Sequence, residues 1–297
     1  LNYTFNIENG TYEVTLTAAA DGAENDGAAG ETRMVTVDID DTGPDTIPDK
    51  NGQEGTAYDD LNNNGRYDSG ESVYTADDLR NGNVASDANV VVGKDMSVQK
   101  VQLDGAKKFD VEEGVSISTQ NEISVKNVDS VDVDGTLEGQ KVLISGVSGQ
   151  VNVTNAGVTT TNNEVDIEAN GDIVAYGATL EGQKVFLTSS NGKVDVSNAD
   201  VTTTNNQVDI EANGDLVAND ATLEGQKVFL TSSNGNIEIR RATVKAKNNR
   251  EATLNSAGTS LFVQDASILD QNDNAAQLNL NGNSNDVVGT PAEGSVS

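Results

Sequence analysis

The chain has 297 residues, of which 35% are hydrophobic and 4% aromatic, with no Trp, His or Cys and a formal net charge of −30. This composition excludes a thick core of large side chains, a disulfide framework and any cysteine-based metal or redox centre. With 48 acidic residues against 18 basic ones, it also argues against nucleic acid and anionic membrane surfaces as partners, since both require basic faces. The length suggests two or three domains. The many Gly, Asn, Asp and Thr residues suggest short strands and tight corners.

Residues 1–41 form the first segment. YTFNI, TYEVTLTA and RMVTVDI alternate apolar and polar residues, which predicts half-buried strands. Glu8-Asn9-Gly10-Thr11 reads as the hairpin turn between the first two. Gly10–Thr17 and Val35–Val37 resemble the closing strands of an Ig-like domain of the polycystic-kidney-disease type. That resemblance implies a sandwich of about seven strands, and only three are present. The module is therefore expected to pack on the rest of the chain or to be completed by strands from another chain.

Residues 42–84 read as a polar connector holding one sharp motif. Asp60, Asn62, Asn64, Arg66, Asp68 and Glu71 stand at the ligand positions of a twelve-residue EF-hand-type loop, with Gly65 at its sharp turn. Calcium takes six to eight oxygens. Asp60, Asn62, Asn64, Asp68 and Glu71 offer side-chain oxygens and Arg66 its carbonyl. The preceding residues make a poor helix, so the loop resembles the single calcium loops of dockerins and extracellular repeat proteins. Calcium is the expected cofactor, stiffening the connector. Thr75–Asp78 then reads as a capping box opening one short helix, ended by Asn81-Gly82-Asn83.

Residues 85–297 form a repeat region, with near-verbatim copies in its middle. TLEGQKV begins at 136, 179 and 222, and ATLEGQKVFLTSSNG occurs twice unchanged, at 178–192 and 221–235. Asn-Gly pairs at 170–171, 191–192, 213–214 and 234–235 halve the 43-residue period into units of 21–22. A unit that short holds three strands and three corners. The leucine-rich frame and the calcium β-roll nonapeptide are both missing. The fold class is therefore all-β: a parallel β-helix of eight or nine coils between about 90 and 285, preceded by the Ig-like strand module and the calcium-loop connector. Asn-Gly is expected to give each coil a corner with positive φ, and stacked Asn side chains an amide ladder. The frames Thr179–Gly192 and Val201–Gly214 resemble the β-helical stalks of filamentous-haemagglutinin-type adhesins and large haloarchaeal surface proteins.

A charge of this size repels itself in dilute water and is screened by molar salt, pointing to a hypersaline setting; the alternative is an acidic secreted protein that binds divalent cations. No signal peptide is visible and no 18-residue apolar run spans a membrane; the chain reads as a mature product or a fragment of a precursor. Asn2, Asn9 and Asn152 head glycosylation sequons. Arg240, Arg241, Lys245, Lys247 and Arg250 form one basic cluster, read as charge balance or a contact for an acidic neighbour. Near-identical coils argue against an enzyme, because an active site needs one coil to differ. The function expected is thus a structural extracellular protein of the cell surface, a filament or pilus subunit or an adhesin or surface-layer stalk. It would self-assemble through strand complementation and the β-helix ends, with surface glycans as further partners. The alternative is a carbohydrate-binding or polysaccharide-cleaving β-helix, with Tyr176 and Phe229 as the aromatic contacts.

Overall fold

In the computed structural model, residues 12–18, 35–41, 46–247, 252–256, 261–270 and 278–282 are described. The chain divides into two compact units, residues 1–46 and 47–297. In the first, β1 (Tyr12–Ala18) pairs antiparallel with β2 (Val35–Asp41), in register from Tyr12 opposite Asp41 to Ala18 opposite Val35. The YTFNI strand, the Asn9-Gly10 turn and the sequons at Asn2 and Asn9 lie outside the described residues.

The second unit is a parallel β-helix of about eight turns. Each coil contributes one strand to each of three sheets, called I, II and III in the order the chain meets them. Among the described residues nine parallel strands stack in each sheet, and sheet I carries two further antiparallel strands at one end. The strands Ile173–Val174, Thr179–Gly182 and Lys184–Ser189 make one coil. Side chains alternate in and out along every strand, so Val185, Leu187 and Ser189 are buried while Lys184, Phe186 and Thr188 face outward.

Stacking turns this alternation into columns. Leu103, Val125, Ile144, Ile167, Leu187, Ile210, Leu230 and Leu254 follow one another up sheet III, each at most 2% exposed. Comparable aliphatic columns rise in sheets I and II, and Phe109 is the sole fully buried Phe among the described residues. The narrow core is therefore filled by Val, Ile, Leu and Ala, which is how the protein folds with so few aromatics.

The corners depart from expectation in one respect. The glycines of the Asn-Gly pairs lie outside the positive-φ region. That conformation belongs instead to the corner from sheet I to sheet II, at Asn155, Gly177, Asn198, Asp220, Arg241 and Asp265. The Asn-Gly glycines are needed for close approach: a Cβ on Gly171 would lie 2.7 Å from the Gly149 carbonyl oxygen, and one on Gly192 2.5 Å from the Gly171 carbonyl carbon. The expected amide ladder is present in two steps, Asn191 donating to Asn170 and Asn234 to Asn213.

The third corner explains the doubled period. Thr119, Gly139, Thr160, Gly182, Thr203 and Gly225 stack there in strict alternation. The Thr160 hydroxyl occupies the space a side chain at Gly182 would need, only 2.5 Å from where its Cβ would stand. Thr203 and Gly225 repeat the relation at 2.7 Å. A Thr coil thus needs a Gly coil beside it, and two coils become the unit that can be copied.

From Ile47 the segment expected to be a connector folds into the same compact unit as the coils. Strand β3 (Gly55–Asp59) and β4 (Val73–Thr75) form a hairpin, and β3 pairs antiparallel with β5 (Asn89–Val92), the first coil strand of sheet I. Helix α1 (Ala76–Asn81) follows directly. Its capping box is the one read from the sequence: Thr75 and Asp78 exchange hydrogen bonds, and Gly82 closes the helix with φ 70°. Leu79, 0% exposed, is buried in the main core beneath α1, which packs on the neighbouring strands Met96–Val98 and Val101–Asp104. The hairpin and helix thus cap the β-helix, covering backbone and core that would otherwise meet water. No helix among the described residues is long and apolar enough to cross a membrane.

Candidate metal centre and surface ladders

All six expected calcium ligands lie in the loop that joins β3 to β4, so a β-hairpin frames it rather than a pair of helices. Asp60 and Glu71, at its two ends, are 4% and 9% exposed. Asp60 accepts the backbone N–H groups of Asn64 (3.1 Å) and Gly65 (2.9 Å), and Glu71 those of Leu61 (2.8 Å) and Asp68 (2.9 Å). Gly65 has φ 72° and Asn63 φ 56°, the left-handed conformation that folds the chain back within the loop.

Asp68 draws in the two asparagines. Asn62 Nδ2 donates to its Oδ2 at 2.7 Å and Asn64 Nδ2 at 2.8 Å. Among the described residues no three acidic side chains are already gathered as a metal cluster. The donor types nevertheless suit a hard divalent cation. Asn62 Oδ1 accepts the Asn64 N–H at 3.1 Å and Asn64 Oδ1 the Arg66 N–H at 2.8 Å, so turning both amide oxygens toward Asp68 means giving up these bonds as well as the two to Asp68. Two amide oxygens and a carboxylate would then face one another, an arrangement that a cation between them stabilises.

Three residues that are not among the six expected ligands tie this loop to the coils. Asn89 donates its backbone N–H to Asp59 Oδ1 (2.9 Å) and its side-chain amide to the Asp60 carbonyl (2.9 Å), while the Asp60 N–H donates to the Asn89 carbonyl (2.9 Å). Tyr67 packs on a small cluster of Ile47, Tyr58 and Val91, meeting Tyr58 edge-on with centroids 6.0 Å apart. Sequence reading missed Asp59, Asn89 and Tyr67 as supports of the loop. The Asp59–Asn89 contact spans 30 residues, and only the antiparallel pairing of β3 with β5 brings it about.

A polar ladder runs up sheet I from the loop. Lys108 Nζ lies 2.5 Å from Asp110 and 3.8 Å from Asp132, and Asn152 Nδ2 donates to Asp132 at 2.8 Å. Burial lowers the Lys108 pKa, but hydrogen bonding to Asp110 and the charges of Asp110, Asp132 and Asp60 outweigh it and leave it raised. Burial pushes Asp110 up, against the pull of Lys108. Asn152, the third sequon asparagine, is thus half-buried in this ladder, with its Nδ2 donating to Asp132 and its Oδ1 receiving the Thr154 hydroxyl at 2.6 Å.

The basic cluster is spread across strands and paired with acids. Arg240 meets Glu238 (2.8 Å), Arg241 forks onto Asp220, and Lys247 meets Glu224. Arg250 lies outside the described residues. On sheet III, Lys184 and Lys227 stand 5.8 and 5.6 Å from the ring centres of the outward-facing Phe186 and Phe229. Tyr176, 46% exposed, sits at a corner between sheets I and II. No protein-family model, curated protein or solved structure matches this chain.

Proposed function

We propose that this chain is a structural subunit of an extracellular assembly on the surface of a salt-loving archaeon, a filament or pilus subunit or an adhesin or surface-layer stalk. The observation that carries this reading is the Thr–Gly alternation between stacked coils. Each coil is shaped to fit its neighbours, so the sequence is spent on extending a stack, on the order of 38 Å for eight steps of ~4.8 Å. The net charge of −30 suits a protein exposed to molar salt. The N-terminal module, read as three strands from its sequence, falls short of the about seven of the sandwich it resembles, which favours completion by strands from another copy.

On this reading calcium binds between Asp60 and Glu71 and holds the β3–β4 hairpin closed on the end of the stack. Asp60, Asn62, Asn64, Asp68 and Glu71 supply side-chain oxygens and Arg66 its carbonyl. Asn2, Asn9 and Asn152 are the proposed glycan acceptors, which intact-mass analysis of native protein tests. Electron microscopy of the native protein in molar KCl, with calcium or with a chelator, tests assembly. Filaments or end-joined rods are expected with calcium; uniformly single particles in both conditions would overturn the proposal.

A further inference from the structure

The outward face of sheet III carries a pattern that the packing of coils does not require. Leu143, Asp166, Phe186, Asp209 and Phe229 follow one another in exact register up the face. Coils in a parallel stack are ~4.8 Å apart, so an apolar platform recurs every ~9.6 Å across three positions, with a carboxylate midway between each pair. All five side chains are partly exposed. The fold itself does not demand an aromatic here, since the same outward position one coil away is Asp.

Polar groups flank the platforms in the same rhythm. Lys184 and Lys227 hold ammonium groups over the two rings, 5.8 and 5.6 Å from their centres, which leaves the opposite ring face for a ligand. The two longer corners, 161–163 and 204–206, lead into the strands that carry Asp166 and Asp209, and all six of their residues are exposed. The face thus offers stacking surfaces at every second coil, with hydrogen-bond acceptors between them and donors at the side.

A ligand that matches must be extended and straight. It must show an apolar face once per ~9.6 Å, and it must carry hydroxyl groups between those faces. A β-1,4-linked hexopyranose chain has this form: successive rings turn over, so every second ring shows the same C–H face, at a repeat close to two coils. Coiled α-linked chains do not keep that spacing. The net charge of −30 disfavours polymers bearing uronate or sulfate groups. We propose that the outer face of sheet III is a binding strip for a neutral β-1,4-linked glycan lying along the axis of the β-helix, with Phe186 and Phe229 as stacking platforms and Asp166 and Asp209 accepting hydroxyls between them.

The full chain in molar KCl would be titrated calorimetrically with cellohexaose and with chitohexaose, maltohexaose serving as the α-linked control. Binding to at least one β-1,4-linked ligand is expected, with maltohexaose weaker by about tenfold or more. Phe186→Ala with Phe229→Ala should weaken binding by about tenfold or more, with an unchanged circular dichroism spectrum. Phe186→Tyr with Phe229→Tyr keeps both platforms and should retain it. Absence of binding to both β-1,4-linked ligands, wild-type binding by the double alanine variant, loss of binding in the tyrosine variant, or equal affinity for maltohexaose would each overturn the proposal. Assembly seen by microscopy is a separate readout, so this strip and the structural role stand or fall independently.

Discussion

Gly182→Ala tests whether a steric lock joins alternate coils. The new Cβ would stand 2.5 Å from Thr160 Oγ1, 3.0 Å from the Lys184 carbonyl oxygen and 3.2 Å from that of Asn163. The first distance is about 1 Å inside the ~3.5 Å at which non-bonded heavy atoms rest. Thr160 is 8% exposed and donates to the Asn163 carbonyl at 3.0 Å, so it cannot swing away freely. Moving it costs that hydrogen bond, about 1 kcal/mol, together with overpacking of about 1–3 kcal/mol. Gly182 has no positive φ to lose, so chain entropy alone would make the alanine stabilising by about 0.4–1 kcal/mol. The net expectation is a loss of about 2 kcal/mol, read as a lower urea midpoint by circular dichroism at 1 M KCl. Adding Thr160→Ala removes the clashing hydroxyl and should recover about 1 kcal/mol in a double-mutant cycle. A Gly182→Ala variant as stable as the parent, or more so, would refute the lock.

Three further outcomes are expected. Lowering KCl from 1 M to 0.1 M lengthens the Debye length from about 3 to about 10 Å and should lower the melting temperature; an unchanged temperature would refute charge repulsion as the reason. Calcium at about 100 times its Kd should add about 2.7 kcal/mol, an increment reversed by chelation and abolished in Glu71→Gln, and calcium without effect on melting would remove the metal from the cap. Burial, then Glu168 and Glu164 for Asp166 and Glu211 for Asp209, raises both carboxyl pKa values on sheet III. The folded state therefore holds these protons more tightly than the unfolded chain. Their contribution to stability grows as pH falls through the raised values toward the unfolded value of about 3.9. Asp166→Asn with Asp209→Asn should accordingly raise the urea midpoint at pH 7 and shrink its gain on mild acidification; a lower midpoint at pH 7 would contradict the sign.

Much of the β-helix is legible because its information is periodic. The in–out alternation of Lys184–Ser189 and the copied frames report strands and coil length directly, and the Thr75–Asp78 box reports its helix, since each of these signals is complete within a few residues. The cap is not legible in the same way. Gly55–Asp59 is buried along its whole length only because it pairs with Asn89–Val92, and nothing local states that an antiparallel strand will close a parallel stack. The twelve-residue loop shows the opposite limit. Its spacing names the ligands, while Asn89 and Tyr67, which hold it against the first coil, carry no signal until the chain has folded.

The Asn-Gly corners show why a residue type can be read correctly and its reason wrongly. Glycine is demanded at 171 and 192, but by the backbone of the neighbouring coil rather than by its own φ. The left-handed corner falls instead on Asn155, Asn198 and Asp220, residues that tolerate that conformation without advertising it. The same logic reaches the two-coil repeat. A single-coil unit would have to put either Thr on Thr or Gly on Gly at the third corner. Thr on Thr would crowd, as the 2.5 Å separation between Thr160 Oγ1 and the absent Gly182 Cβ indicates. Gly on Gly would leave the Asn163 and Asn206 carbonyls without the threonine hydroxyls that now reach them at 3.0 and 2.9 Å. Alternation meets both needs at once, while the residue types on the outer face, where Phe186 and Phe229 stand two coils apart, are left free by it.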